Sequence, residues 1–140
     1  MHPLEGAGVR LGMKIIGIDH ATIKTAKLDE TRAFFEEVLG LKIGPRPDFD
    51  MPVCWLYAGD HDVVHLITAG TPQAPSAQAS INHFALRIAD YDAAITSLKA
   101  KGVPFETETT PGGALKQIYL TDPNGVRIEL NCPGPGARRR

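Results

Sequence analysis

Four residues able to ligate a transition metal recur at matched intervals along this chain of 140 residues. His20 stands 45 residues before His65, and His83 stands 46 residues before Glu129. Imidazole nitrogen and carboxylate oxygen suit one divalent transition metal, Fe, Co, Ni, Zn or Mn, and suit Mg or Ca poorly. Four such donors leave two positions of an octahedron for water or for two oxygens of a substrate. A lone strand histidine more often serves structure than chemistry, and His2 at the terminus and His61 beside a turn are read that way. The matched spacing sets the other four apart. His65 fits two roles, metal ligand or acid/base group beside the metal.

The elements that must hold these residues come in two similar sets. Residues 13–25 read as a β-branched strand, with Ile16, Ile18, His20 and Thr22 on one face. A helix follows, with Asp29 as its expected N-cap and Ala33, Phe34, Val38 and Leu39 as its apolar stripe. Gly40 supplies its stop. Residues 41–43, 53–58 and 62–68 read as strands, and 70–80, rich in Pro, Ala, Gln and Ser, reads as a linker. The second set comprises a strand at 81–89, a helix at 91–101 stopped by Gly102, and strands at 103–106, 115–121 and 126–131. D-P-N-G at 122–125 is a strong turn signal between the last two. Each set is β-α-β-β-β. A unit this small leaves one sheet face bare, so two must pair.

Strand parity decides which side chains meet. His65 shares a face with Val63 and Ile67. Glu129 shares a face with Arg127 and Asn131, opposite the apolar Val126, Ile128 and Leu130, so it points to the concave side. Ten residues before His65 lies Trp55, and ten before Glu129 lies Tyr119. Tyr57 and Gln117 lie on the same faces. Lys24 follows His20 by four residues, and Arg87 follows His83 by four. With Arg127 they make three inward cations. Such a lining suits a small substrate with a flat or apolar body and an anionic group.

Composition bounds the rest. The chain is 43% apolar and 22% charged, with a formal net charge of −1, which gives no electrostatic case for nucleic acid or an anionic membrane. No stretch reaches the roughly 18 apolar residues of a membrane span. The first twelve residues carry an acid and no long apolar run, so they do not read as a secretory signal. Cys54 and Cys132 sit in apolar runs and read as buried thiols, consistent with a reducing cytoplasm. The expected organisation is a flexible start at 1–12, one domain at 13–132 (modules 13–70 and 80–132), and a flexible basic tail at 133–140.

The two β-α-β-β-β halves, with H-A-T-I, V-V-H-L-I, N-H-F-A-L-R and D-P-N-G-V-R-I-E-L, resemble the vicinal oxygen chelate superfamily over roughly residues 14–131. That group includes glyoxalase I, methylmalonyl-CoA epimerase, extradiol dioxygenases, fosfomycin-resistance transferases and bleomycin-binding proteins. The resemblance implies an α+β fold, with two βαβββ modules forming a U-shaped mixed sheet around one divalent metal. His20, His83 and Glu129 match three ligand positions, and His65 stands where glyoxalase I has a glutamate. The implied function is a glyoxalase-like lyase or isomerase working through an enediolate-type intermediate, with Glu129 first and His65 second as proton carrier. An extradiol-type Fe(II) dioxygenase is the alternative, with His20, His83 and Glu129 as a facial triad. A drug-binding protein without catalysis is the third, and a fosfomycin-type transferase is less favoured. Ala69 and Ala79 stand where glyoxalase I has its glutathione-contacting asparagine and an arginine, which counts against glutathione as substrate. A small-molecule substrate and a homodimer are expected, with neither nucleic acid nor membrane as partner.

Overall fold

The computed structural model describes residues 12–133. The expected flexible ends, and His2 with them, lie almost wholly outside these residues. Pro133, assigned to the tail by sequence, ends a strand instead.

Two four-stranded sheets make up the fold, each with one parallel and two antiparallel pairings. In chain order the first module runs β1 (Ala21–Thr25), α1 (Leu28–Ala33) with a π-helical turn at Phe34–Val38, β2 (Lys42–Ile43), β3 (Val53–Ala58) and β4 (His61–Thr68). The second runs β5 (His83–Arg87), α2 (Tyr91–Ala100), β6 (Glu106–Thr109), β7 (Leu115–Thr121) and β8 (Arg127–Pro133). The sheet orders are β1-β4-β3-β2 and β5-β8-β7-β6. In each, the first strand lies parallel to the last, because the helix between β1 and β2, or β5 and β6, carries the chain across a sheet face.

Parity sorts the two faces of each sheet as chemistry requires. Ile23, Cys54, Leu56, Val64 and Leu66 are buried on the helix side of the first sheet, and Ile118, Leu120, Ile128 and Leu130 on that of the second. Phe35 and Leu98, both nearly inaccessible, bring the helices into the same core. Burying side chains of this size contributes on the order of 1.5–3 kcal/mol each. The opposite, concave faces carry Trp55 across from His65 and Tyr119 across from Glu129.

The modules are joined by a polar knot at the D-P-N-G turn. Asn124 Oδ1 accepts from Thr25 Oγ1 (2.7 Å), and its Nδ2 donates to Thr31 Oγ1 (3.0 Å) and Asp122 Oδ2 (3.0 Å). Thr25 and Thr31 are fully buried. Lys27 Nζ donates to the Pro123 carbonyl alongside. The turn therefore docks the second module on the β1–α1 junction of the first.

Several expectations need correction. The strand expected over 13–25 begins only at Ala21. Its ladder with β4 starts at Ala21 opposite Val64, because β4 carries an extra residue at Val63 that breaks the register below it. Met13, Ile15, Ile16 and Ile18 consequently stand 80–93% exposed. Asp29 is not the N-cap of α1. The helix starts at Leu28, with Lys27 in the cap position and no capping side chain, and Asp29 lies in the first turn. The π-helical turn rotates the expected stripe, so Phe35 rather than Phe34 is fully buried. The strand expected at 103–106 forms at Glu106–Thr109, where the backbone pairs with β7. Cys132 is only half-buried, while Cys54 is buried; both are free thiols.

Candidate metal centre

The donors gather on the concave faces as two pairs. On the second module, parallel pairing sets His83 beside Arg127, two residues from Glu129 along β8. His83 Nε2 lies 2.8 Å from Glu129 Oε1, and Glu129 Oε2 accepts from Gln117 Nε2 at 2.9 Å. Burial pushes the Glu129 carboxyl up, but hydrogen bonding from Gln117, Tyr119, Asn131 and His83 outweighs it and holds the group below the ordinary carboxylate range. Glu129 is thus an ionised donor inside the protein, at 6% exposure. Beside it, Asn131 Oδ1 is buried without a hydrogen-bond partner among the described residues.

The proton on His83 can be located from its neighbours. Asn82 Nδ2 donates to the Ala77 carbonyl, which turns Asn82 Oδ1 toward His83 Nδ1 at 2.7 Å. Nδ1 must therefore carry hydrogen, and neutral His83 presents an Nε2 lone pair to a carboxylate oxygen. Two electron-rich atoms this close require a positive charge, either a second ring proton or a cation. A divalent transition metal held by imidazole nitrogen and carboxylate oxygen would supply that charge. The pair fits a divalent transition metal.

His20 is held in the same way. Its Nδ1 donates to Asp19 Oδ2 at 2.7 Å, leaving Nε2 as its donor atom. The sequence marks both cases, in I-D-H and I-N-H, with an oxygen-bearing side chain just before the histidine. Hydrogen bonds of this kind orient metal-ligating imidazoles and fix their tautomer.

His65 differs. Its ring stacks between Trp55 (centroids 3.7 Å apart, 5° between planes) and His20 (3.6 Å, 21°). Imidazole lone pairs lie in the ring plane, so the stacked His20 and His65 rings present theirs in separate planes. Its Nε2 is taken by Asp62 Oδ2 at 2.5 Å, and the ring holds the Asp62 carboxyl below its ordinary range. Strict alternation put Val63, not Asp62, on this face. The extra residue in β4 reverses parity there: Leu56 still faces Val64, but Tyr57 faces Asp62. Asp62 is the site residue that sequence reading missed. The only available signal was a carboxylate whose regular-strand position would have pointed into the core.

Among the described residues, no three His, Cys, Asp or Glu side chains of one chain converge on a point. A cleft of about 1110 Å³ between the modules is walled by His20 and Lys24 on one side and His83 and Arg87 on the other. Arg127 lies over the Tyr119 ring at 4.1 Å, and Tyr57 donates to the Pro45 carbonyl. A second cavity, about 600 Å³, lies on the helix side and has no histidine in its walls.

Comparison with known proteins agrees with this architecture. Residues 17–130 match the family model of the Glyoxalase/Bleomycin resistance protein/Dioxygenase superfamily. Methylmalonyl-CoA epimerase, mitochondrial, of Bos taurus is 24% identical over 142 residues, 92% of this chain and 79% of that protein. Glyoxylase I 4 of Arabidopsis thaliana is 23% identical over 129 residues, 86% and 73% of the two. A putative glyoxalase family protein from Bacillus anthracis has the same fold, with a TM-score of 0.75, 24% identity, and coverage of 89% of this chain and all of that one. No described helix is long and apolar enough to cross a membrane. The chain belongs to the Glyoxalase/Bleomycin resistance protein/Dioxygenase superfamily.

Proposed function

We propose that this protein is a metal-dependent lyase or isomerase of glyoxalase type, moving a proton on a carbon next to a carbonyl in a small anionic substrate. The observation that carries this reading is the His83–Glu129 pair: two donor atoms 2.8 Å apart, whose closeness calls for positive charge. His20, His83 and Glu129 would hold the ion. When bound, it supplies Lewis-acid stabilisation of charge developing on substrate oxygen. The residues of the chain do the rest. Gln117 keeps Glu129 ionised, Lys24 and Arg87 offer charge to the anionic group, and Trp55, Tyr57, Tyr119 and Arg127 wall the concave faces. His65 is the favoured proton carrier, because its Nδ1 is free of any hydrogen bond among the described residues. Names of the relatives, an epimerase and a glyoxylase, support proton-transfer chemistry.

The division of the donors into two pairs supports a homodimer, in which the His20–His65 pair of one copy faces the His83–Glu129 pair of the other. The bare apolar residues Met13, Ile15, Ile16 and Ile18 supply surface for that contact. One observation favours a second reading. With His65 off the metal, two histidines and one carboxylate are the donor set of an Fe(II) dioxygenase of extradiol type.

The test is to purify the protein anaerobically, measure its metal, reload it with Ni, Co, Zn, Mn or Fe(II), and follow substrate C–H exchange in D₂O by NMR. Hemithioacetals and branched acyl thioesters are the first panel. Metal-dependent exchange, lost in Glu129→Gln, is expected. O₂ uptake on catechols without exchange would establish the second reading. Failure to bind metal under repletion would refute both and leave a drug-binding role.

A further inference from the structure

The extra residue in β4 decides which face Asp62 takes. In a regular ladder Asp62 would point to the helix side, among Leu56, Val64 and Leu66, where an unpaired ionised carboxylate costs several kcal/mol. Inserting Val63 as a bulge lets that valine pack against the core and turns Asp62 to the concave face. There it meets His65, three residues on. Bulges beside active sites commonly re-aim a side chain in this manner.

The three concave-face histidines are not wired alike. His20 and His83 each give Nδ1–H to the side chain before them and present Nε2. His65 gives Nε2–H to Asp62 and leaves Nδ1 without a partner among the described residues. The stacked Trp55 and His20 rings prevent it from turning out of that plane. We propose that Asp62 is a positioning residue that fixes His65 as the Nε2–H tautomer and so presents Nδ1 as the proton-accepting atom of the site. The role rests on the proton-transfer reading above. In that step the substrate C–H proton passes to Nδ1, its electron pair stays on the substrate and spreads onto the carbonyl oxygen, and the imidazolium formed is stabilised by the Asp62 carboxylate. Returning the proton to carbon restores the starting state.

The decisive experiment reads the tautomer itself. Long-range proton–nitrogen correlation spectra of the ¹⁵N-labelled metal-free protein show which ring nitrogen of His65 carries hydrogen, with His65→Gln identifying the signals. Wild type is expected to show Nε2–H. In Asp62→Asn the amide is able to donate to Nε2, and His65 is expected to change to Nδ1–H. Asp62→Glu, which keeps an acceptor, should retain Nε2–H if it folds as wild type. A wild-type His65 found as Nδ1–H, or a tautomer unchanged in Asp62→Asn, overturns the proposal. In the metal-loaded protein, Asp62→Asn should lower kcat on the order of 10²- to 10⁴-fold, the usual span for losing positioned acid–base catalysis, with metal content unchanged. The tautomer exchange observed in a protein without proton-transfer activity would refute the proposed reaction while upholding the Asp62–His65 assignment.

Discussion

Asn124→Ala removes the knot that ties the modules, and its cost can be worked from the contacts. Three side-chain hydrogen bonds disappear, to Thr25, Thr31 and Asp122. Each contributes about 0.5–1.5 kcal/mol net. The threonine hydroxyls are not orphaned, because they keep each other, the Lys27 amide and the Lys27 carbonyl. Asp122 keeps the Asn124 and Val126 amides on Oδ1 but loses its partner on Oδ2. The sum is about 2–3 kcal/mol. With a urea dependence of about 2 kcal/mol per M for a domain of this size, the unfolding midpoint should fall by about 1–1.5 M. Equilibrium urea unfolding, followed by Trp55 fluorescence and by far-UV circular dichroism, measures it. A double-mutant cycle with Thr31→Val should give a coupling of at least about 0.5 kcal/mol. A loss below about 0.7 kcal/mol with no coupling would refute the claim that this turn holds the modules together.

Three further outcomes follow from other sites. Gly44→Ala would place a methyl 2.5 Å from two Tyr57 ring carbons, so the ring must move; a loss of about 1–3 kcal/mol should appear as a lower thermal midpoint. Glu129 titrates below its ordinary value of 4.5 in the fold, so the stability it contributes is full above that pH and is lost as pH falls through the lowered value. Glu129→Gln should flatten the acid side of a stability-against-pH series by up to one proton, about 1.4 kcal/mol per pH unit; an unchanged slope contradicts the hydrogen-bonded ionised state. Trp55, the single tryptophan, lies flat on the His65 ring, so His65→Ala should change its emission intensity and solvent exposure, whereas His61→Ala should leave both near wild type.

Much of this was legible because it depends on periodicity and on turn chemistry. Val53–Ala58 and Leu115–Thr121 fall where alternation and flanking turns place them. Gly40, Gly59 and Gly102 adopt the positive φ that a helix stop or tight turn demands. The inward set on β8 follows from Ile128 and Leu130 needing the core. What escaped notice were single-residue excesses. The π-helical turn brought Phe35 inward, and the Val63 bulge brought Asp62 to His65 and cut β1 short. A sequence offers no local marker for an extra residue, since its cause is non-local: the partner strand determines whether a valine is paired or passed over. The polar knot was half legible. D-P-N-G announced a turn, but nothing in its letters named Thr25 and Thr31 as its receptors.

The bulge means that the face Asp62 takes is set by how the ladder passes over Val63, not by Asp62 itself. Deleting Val63 would close the bulge and leave Asp62 next to Val64 and still opposite Tyr57 on the concave face, whereas drawing Val63 into the ladder would send the carboxylate toward the core. A relative lacking that residue would keep its carboxylate on the same face as the histidine, at a spacing of two residues in place of three. Within this fold, a carboxylate and a histidine can therefore share a face while the chain between them gains or loses a residue, a change of spacing that a residue-by-residue comparison would read as a loss.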